Sequence, residues 1–599
     1  MDNPLPSNDE IEAFSQAVNW QDVEDQKKRF NAKVIELAAD DKHDELSLDQ
    51  LSEAVGLPLS TYNSNSEKGN VILAETNGRQ YILGSFVSKR FRENETFMQS
   101  MVPYNFNPSV NHNNIDETYN PSTKMRAMGA ELELGVYYED GTFPDEATMQ
   151  KFIHTYRENA HRLGITPQVD REACRYQVEV HVAPGVGYHR MRQSLDSIMT
   201  SLVIAGETTK LNTAIMAANP VKSDFELTDD PKVRTATAVM KEANSQFPDY
   251  VERQIQARKR YHIDPESNVV QLFRLQGCHI HLDIAGRSEA LGLFTFYTML
   301  RSASAIANAA VLKGSPFVNG TCDPEYICTR EFLRKTTITG RYIDLPITPH
   351  LSEDGLAKYY ELIEAERANR AIRGLLYEDG LGQPVSVMHN PIGRVRPDLG
   401  MKRRICTIES TGMPVNASAS RQAAVLTDFE FTHALIESYY RKYGTDLNPM
   451  VEDKELWQLV GPLSTEKYAE LQDLSDREGT DIEVETAAGN KMSLADFYEM
   501  KRLYMHRNLI DIPGITPRDI DDVYTSLGRM LNPPSGRVAQ TIEQYICEAT
   551  YRSTGNWGKI LRNAFIEEGG TIGSHNPDAV LKVSNRVHNA LRQRYLNPA

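Results

Sequence analysis

The sequence predicts an α+β protein: a domain of short amphipathic strands with helices packed outside, extended at both ends by mainly helical segments. Three observations lead there. The segments AELELGV, YQVEVHVAP, GCHIHLDI and ICTIEST each alternate between apolar and polar residues, as strands with two unlike faces do. Runs of helical period at 143–163, 189–217 and 288–312 lie among them. Beyond Asp428 the pattern turns almost wholly helical, as in FEFTHALIESYYRKY, SLADFYEMKRLYMHRN and IEQYICEATYRSTGNWGKILRNAF. These changes of texture divide the chain at about 1–120, 121–445 and 446–599.

In chain order, residues 9–56 read as helical: Ile11, Phe14 and Val18 recur at helical spacing, and LSLDQLSEAVGL meets a glycine stop. VILAETNGRQYILG (71–84) is two apolar runs around Asn77-Gly78, a strong hairpin signal. From Phe97 to Thr123 the chain is rich in Asn, Pro and Ser and reads as a linker or long loop. The last helix, 577–595, carries Lys582, Arg586, Arg592 and Arg594, which read as a solvated face. No internal repeat of 20–50 residues is present.

Composition narrows the class. The 599 residues are 40% hydrophobic and 25% charged, with a formal net charge of −17, which is globular and acidic. No positive field exists to recruit phosphates in general, so a nucleic-acid binder or an anionic-membrane binder is not expected. The six cysteines, Cys174, Cys278, Cys322, Cys328, Cys406 and Cys547, form no C-x-x-C pair, so neither a disulfide framework nor structural zinc is expected. The start MDNPLPSNDEIEAF lacks the basic and apolar regions of a signal peptide, and no apolar run approaches a membrane span. The expectation is a cytoplasmic protein.

The strand faces carry the chemistry. Residues i and i+2 share a face, so Glu131 and Glu133 point one way while Leu132, Leu134 and Val136 point the other. By the same rule Gln177, Glu179 and His181 share a face, as do His279, His281 and Asp283, and Thr407, Glu409 and Thr411. For any single strand a solvated face explains this. Four such strands point to a shared site, where several carboxylates need compensating cations. Carboxylates with one or two imidazoles favour Mg²⁺ or Mn²⁺ over zinc, and Mg²⁺ so held often completes its shell with substrate phosphates. Arginines that suit phosphate oxygens follow in CTREFLRKTTITGRY (Arg330, Arg334, Arg341) and GRVRPDLGMKRRIC (Arg394, Arg396, Arg403, Arg404).

The ordered set GAELELGV, REACRYQVEV, GCHIHLDI, LKGSPFVNGTCDPEYICTR, RVRP and ICTIE, spanning about residues 125–415, resembles the glutamate–cysteine ligase family of carboxylate–amine ligases, relatives of glutamine synthetase. The resemblance implies a glutamine-synthetase-like domain, with a curved antiparallel sheet forming a funnel and helices outside. It implies ATP as cofactor with Mg²⁺ (or Mn²⁺), and small-molecule amino acid and amine substrates. It also implies transfer of the ATP γ-phosphoryl group to a carboxylate, typically the γ-carboxylate of glutamate, followed by amine attack on the acyl phosphate. Carried over by position, Glu131, Glu133, Glu172, Glu179, His279 and Glu409 look like metal ligands. His281 looks like a nucleotide-phosphate contact, and Arg330 and Arg396 like phosphate or carboxylate clamps. Arg330, Arg396 and Glu409 are thereby the expected catalytic set. One departure stands out: the family's last strand continues Glu-x-Arg, whereas Glu409-Ser410-Thr411 places threonine there, with Arg403 and Arg404 in the preceding turn as substitutes.

Other readings stay open at this level. The same fold suits a ligase or phosphotransferase acting on a macromolecule, or a scaffold that has lost turnover, and H-x-H also occurs in metal-dependent hydrolases. His350 and His389, in Pro-containing loops, read as structural, Cys278 and Cys406 as buried apolar positions, and EEGGTIGSH (567–575) as a turn. Self-association is left open, since no heptads announce an interface.

Overall fold

The alternating segments assemble into one seven-stranded sheet. The structure, a computed structural model, describes residues 128–165, 168–221, 248–264, 274–283, 303–336, 407–443, 448–462, 465–509, 514–533 and 541–596. It also describes short strands at 59–62, 70–76, 79–86, 378–379, 383–384 and 394–396 and a few single residues. Predictions for 9–56, for the 97–123 linker, and for Arg341, Arg403, Arg404, His350, His389 and Cys406 lie outside the described residues.

The hairpin predicted around Asn77-Gly78 is present: β2 (Asn70–Thr76) pairs antiparallel with β3 (Arg79–Phe86), and β1 (Leu59–Tyr62) adds to β2. The large sheet is built from β4 (Met128–Tyr138), β5 (Val169–Arg171), β6 (Gln177–Gly185), β7 (Leu211–Ala214), β8 (Gly277–Asp283), β13 (Arg394–Arg396) and β14 (Thr407–Pro414). Two minor strand pairs, β9–β10 (317–318, 321–322) and β11–β12 (378–379, 383–384), intervene in the chain. The sheet order is β13-β14-β8-β4-β6-β5, with β7 on the far end of β4, and every pairing is antiparallel.

One face of this sheet is a core. Leu132, Leu134, Val136, Val178, Val180, Val182, Cys278, Ile280 and Leu282 are all buried on it. Helices α1 (Glu146–Arg162), α2 (Tyr188–Thr209), α4 (Ala303–Leu312) and α6 (Ala419–Tyr443) contribute to the same apolar cluster, while α3 (Pro248–Arg260) packs into a smaller one through Ala257. Each fully buried aliphatic side chain contributes roughly 1.5–3 kcal/mol. α1 starts where Asp145 accepts from the Thr148 N–H at 2.8 Å, satisfying one of the orphan donors of the first turn. The predicted helix 189–217 stops early: Lys210 adopts a left-handed φ of 61°, and Leu211–Ala214 leave as β7.

Past α6 the chain is helical, as the pattern indicates, with one exception. α7 (Asn448–Glu452), α8 (Lys454–Trp457) and α9 (Thr465–Glu478) precede a hairpin, β15 (Glu483–Glu485) and β16 (Lys491–Ser493). Then come α10 (Leu494–Asn508), α11 (Pro517–Leu531), α12 (Ile542–Tyr551), α13 (Trp557–Glu567) and α14 (Pro577–Leu596). These helices share the apolar cluster with the sheet. A buried ion pair crosses the seam: the Lys501 ammonium donates to Asp428 at 2.6 Å, and to Ser304 and Thr432 at 2.7 Å each. The cationic face of α14 is paired rather than merely solvated: Arg586 meets Glu567 and Glu568 at 2.6 Å, and Arg592 meets Glu207 at 2.7 Å. Among the described residues no helix is long and apolar enough to cross a membrane.

α14 is fastened to β7 by a neutral imidazole. His588 Nδ1 accepts from the Thr213 N–H at 3.2 Å, a bond that only the unprotonated ring can accept. Burial and the nearby Arg592 charge lower its pKa to about 4. Glu207, 3.9 Å away, would favour the charged form but is engaged by Arg592. The folded pKa lies below the ordinary value of roughly 6.5, so this contribution to stability is complete above pH ~6.5. It falls by about 1.4 kcal/mol per pH unit between there and pH ~4. Urea midpoints measured from pH 7.5 to 5.0 should drop less steeply for His588→Asn than for the wild type; parallel slopes would contradict the assignment.

Candidate functional site

The other sheet face gathers the polar residues, and strand register dictates which meet. Glu131 on β4 pairs with His279 on β8 and with His181 on β6. Glu133 pairs with Glu179, and Glu179 in turn with Asp170 on β5. Glu409 on β14 pairs with His281. Glu131, Glu133, Glu179, His279, His281 and Glu409, singled out from alternation, thus occupy adjoining positions on four neighbouring strands.

The side chains converge accordingly. His279 Nδ1 lies 3.6 Å from Glu131 and 3.7 Å from Glu409, while its Nε2 lies 3.7 Å from Glu133. His281 Nε2 is 3.4 Å from Glu131. His181 Nε2 is 3.2 Å from both Glu179 and Asp170, and its Nδ1 is 4.0 Å from Glu131. Three sets bring their ligand atoms within 4.8 Å of one another: Glu131, His279 and Glu409; Glu133, Glu179 and His279; Glu131, Glu179 and His181.

These separations discriminate between explanations. Around His279 the gaps of 3.6–3.7 Å are too long for hydrogen bonds. Two ligands each about 2.1 Å from one octahedral cation lie roughly 3.0 Å apart when adjacent and roughly 4.2 Å apart when opposite, which brackets the observed gaps. Carboxylates with imidazoles are also the donor set for Mg²⁺ or Mn²⁺. A neutral imidazole offers one lone pair, so His279 can serve the Glu131–Glu409 set or the Glu133–Glu179 set, not both.

Electrostatics bear on the same point. Two carboxylates about 4 Å apart repel by roughly 4 kcal/mol at an effective dielectric near 20. Glu172, half-buried beside Glu179 and Glu133, responds to desolvation and to those charges with a pKa well above the carboxylate range. Burial works against charging His181, but its bonds to Asp170 and Glu179 and the charges of Glu179 and Glu131 prevail, raising it to about 9. Burial likewise opposes a charge on His279, and Glu133, Glu131 and Glu409 override it, so its pKa is raised.

Arg330 closes one side. It opens α5 (Arg330–Arg334), is 4% exposed, and donates to Glu331 at 2.6 Å. Its Nε is buried without a partner among the described residues. Around Gly277, whose N–H donates to Glu133 at 2.6 Å, a side-chain Cβ would come 2.7 Å from Arg330 Nη2 and 2.9 Å from His279 Nε2. Arg330 therefore borders the cluster. Arg396 lies on β13 opposite Thr407, two positions from Glu409 along β14.

The conspicuous GSPF-x-x-G-x-x-D segment proves to be scaffold. Asp323 is fully buried and accepts from Arg260 (2.6 Å), Tyr261 (2.6 Å) and the Glu325 and Tyr326 N–H groups. Gly314 lies against Trp557, where a Cβ would overlap the indole. This packing delivers Arg330 to the site. Asp170, beside Glu179 and His181, escaped sequence reasoning; Arg334 was named there only among the arginines suited to phosphate, whereas its guanidinium meets Thr411 Oγ1 at 2.9 Å. Arg403 and Arg404, the expected substitutes there, lie outside the described residues; among the described residues Arg334 reaches Thr411. His181 was legible as a same-face partner of Glu179, whereas Asp170 sits in a three-residue strand too short to alternate.

No family model matches the chain, and no curated protein matches it. Among solved structures it is similar to the glutamate–cysteine ligase of Francisella tularensis in complex with AMP, at 10% identity and a TM-score of 0.38, over 78% of this chain and 93% of that one. It is also similar to the ligase PafA in complex with the prokaryotic ubiquitin-like protein Pup, at 10% identity and a TM-score of 0.36, over 77% of this chain and 73% of that one.

Gly277 offers a local test of this geometry. Gly277→Ala forces the Arg330 or His279 side chain aside without substituting any candidate ligand. Mn²⁺ affinity, followed by the loss of the free-ion electron paramagnetic resonance signal, should weaken about tenfold, as for other supports of metal ligands. Wild-type affinity in the variant would contradict the crowding described.

Proposed function

We propose that this chain is an ATP-dependent carboxylate–amine ligase that uses Mg²⁺ or Mn²⁺. The observation that carries the proposal is the carboxylate–imidazole array with gaps suited to shared cations, bordered by a buried arginine with an unused donor. Bound there, the divalent ions would neutralise the phosphate oxygens of ATP and the charge that develops on the transferring phosphoryl group. Glu131, Glu409 and His279 form one prospective ligand set, and Glu133, Glu179 and Glu172 a second around the same imidazole. Glu172 would need to lose its proton to join it.

The reaction we assign has two steps. A substrate carboxylate oxygen attacks the γ-phosphorus; the bond to the β–γ bridging oxygen breaks, and ADP leaves. An amine nitrogen then attacks the acyl carbon; the carbon–nitrogen bond forms, the carbon–oxygen bond to phosphate breaks, and inorganic phosphate leaves. Arg330 would bind the equatorial oxygens of the phosphoryl group through its free donors. Arg396, from the edge strand, would bind phosphate or the substrate carboxylate, and His281 would contact the nucleotide phosphates. The donor we favour is the γ-carboxylate of glutamate, on the motif resemblance over residues 125–415, and the compartment is the cytoplasm, where ATP is abundant. The buried carboxylates also weigh against a silent scaffold, because holding them together without a cation is costly.

The experiment is phosphate release from ATP with Mg²⁺, glutamate and a panel of amino acids and small amines, read alongside mass spectrometry. The expected result is release that depends on one amine, with a product at the condensed mass, and a fall of about a hundredfold or more in Glu409→Gln. Hydrolysis that proceeds equally without ATP would overturn the proposal in favour of a metal-dependent hydrolase.

A further inference from the structure

β14 carries one residue more than its neighbour at the point that matters most to the site. Ser410 pairs with Ile280 and Met413 with Cys278, so Thr411 and Gly412 together stand opposite His279 alone. Such a bulge re-aims nearby side chains and ends regular pairing. A slip of register by one residue would turn Glu409 to the opposite face of the sheet. Something must therefore hold the bulge in place.

Arg334 is the side chain placed to do so. Its guanidinium donates to Thr411 Oγ1 at 2.9 Å and to the Thr411 carbonyl at 3.2 Å, so one fork grips the bulge by side chain and main chain together. It also donates to Glu331 at 3.4 Å, and the same carboxylate oxygen accepts from Arg330 at 2.6 Å. Arg330, Glu331, Arg334 and Thr411 are each 4% exposed or less. In so dry a place a lone charge is untenable, and removing one partner of a buried ion pair exposes the rest to the full penalty. The planar fork matters as well: a lysine keeps the charge but cannot make the paired contacts in fixed geometry.

We infer that Arg334 is a positioning residue for the site: through Thr411 it fixes the bulge opposite His279, and through Glu331 it fixes the direction of Arg330. Its described partners, Thr411 and Glu331, are not among the candidate ligands. The inference rests on reading the acid cluster as a divalent-cation site.

The test uses the full chain and Mn²⁺ binding by electron paramagnetic resonance, with circular dichroism and thermal melting to establish that each variant is folded. Arg334→Ala should weaken Mn²⁺ binding about tenfold, a size typical of second partners of metal ligands. Millimolar guanidinium should restore much of that loss. Arg334→Lys should fall between the two and gain nothing from guanidinium. Thr411→Val, which keeps the shape and removes one acceptor, should lose about threefold and serves if Arg334→Ala does not fold. Wild-type affinity in folded Arg334→Ala, a loss that guanidinium leaves untouched, or unchanged affinity in Thr411→Val would overturn the inference while leaving the proposed function standing. Absence of Mn²⁺ binding by the wild type would overturn the cation site and this inference with it.

Discussion

Mutual repulsion among buried and half-buried carboxylates is the constraint on which the rest of the structure depends. Glu131, Glu133, Glu179 and Glu409 are drawn onto one sheet face by strand pairing, because the opposite face of the same strands is committed to the core, and Glu172 joins them from the connection between β5 and β6. The hydrophobic side fixes the register, and the register then forces like charges together. The protein meets the conflict in three visible ways. Imidazoles are interleaved between the acids, at His181, His279 and His281. One acid, Glu172, has its pKa pushed up towards the neutral form. Cationic groups stand behind the site, where Arg330 and Arg334 share Glu331. Burial alone would raise the pKa of Glu331; the charges of Arg334, Arg330, Lys313 and Lys335 outweigh it and hold the carboxyl below the usual range.

That arrangement needs a stiff frame, and the C-terminal helices supply much of it. They belong to the same apolar cluster as the sheet. Lys501 reaches from α10 to Asp428 on α6, and Tyr524 of α11 donates to the same carboxylate at 2.8 Å. A buried pair of this kind adds little net stability over apolar packing, yet losing either partner is costly, so it enforces one arrangement of helices. The Asp323 and Lys313 networks do the same for the segment that leads into Arg330.

Much of this was legible in the sequence, for a definite reason. The period-2 pattern of AELELGV, QVEVHV, GCHIHLDI and TIEST reports which residues share a face, and a strand has only two faces to choose between. The Asn-Gly hairpin and most helices follow from equally local rules. Register is not local. The pairing of Glu131 with both His279 and His181 depends on how far each strand slides, and alternation is blind to slides of two residues. The bulge at Thr411–Gly412 and the five-residue helix that carries Arg334 leave no period at all. The end of α2 was missed because Lys210, not glycine, takes the left-handed turn, and the β15–β16 hairpin because its strands are three residues each. The GSPF segment, part of the motif resemblance, packs against Trp557 and buries Asp323.

In the proposed reaction the acid cluster is a cation site that receives ATP. Crystals grown with Mn²⁺ and a non-hydrolysable ATP analogue, measured at the manganese absorption edge, test it most directly. The account predicts anomalous peaks between Glu131, His279 and Glu409 and beside Glu133 and Glu179, with the analogue's phosphates completing the coordination. An ordered cluster without any such peak, its carboxylates joined by shared protons instead, would contradict it.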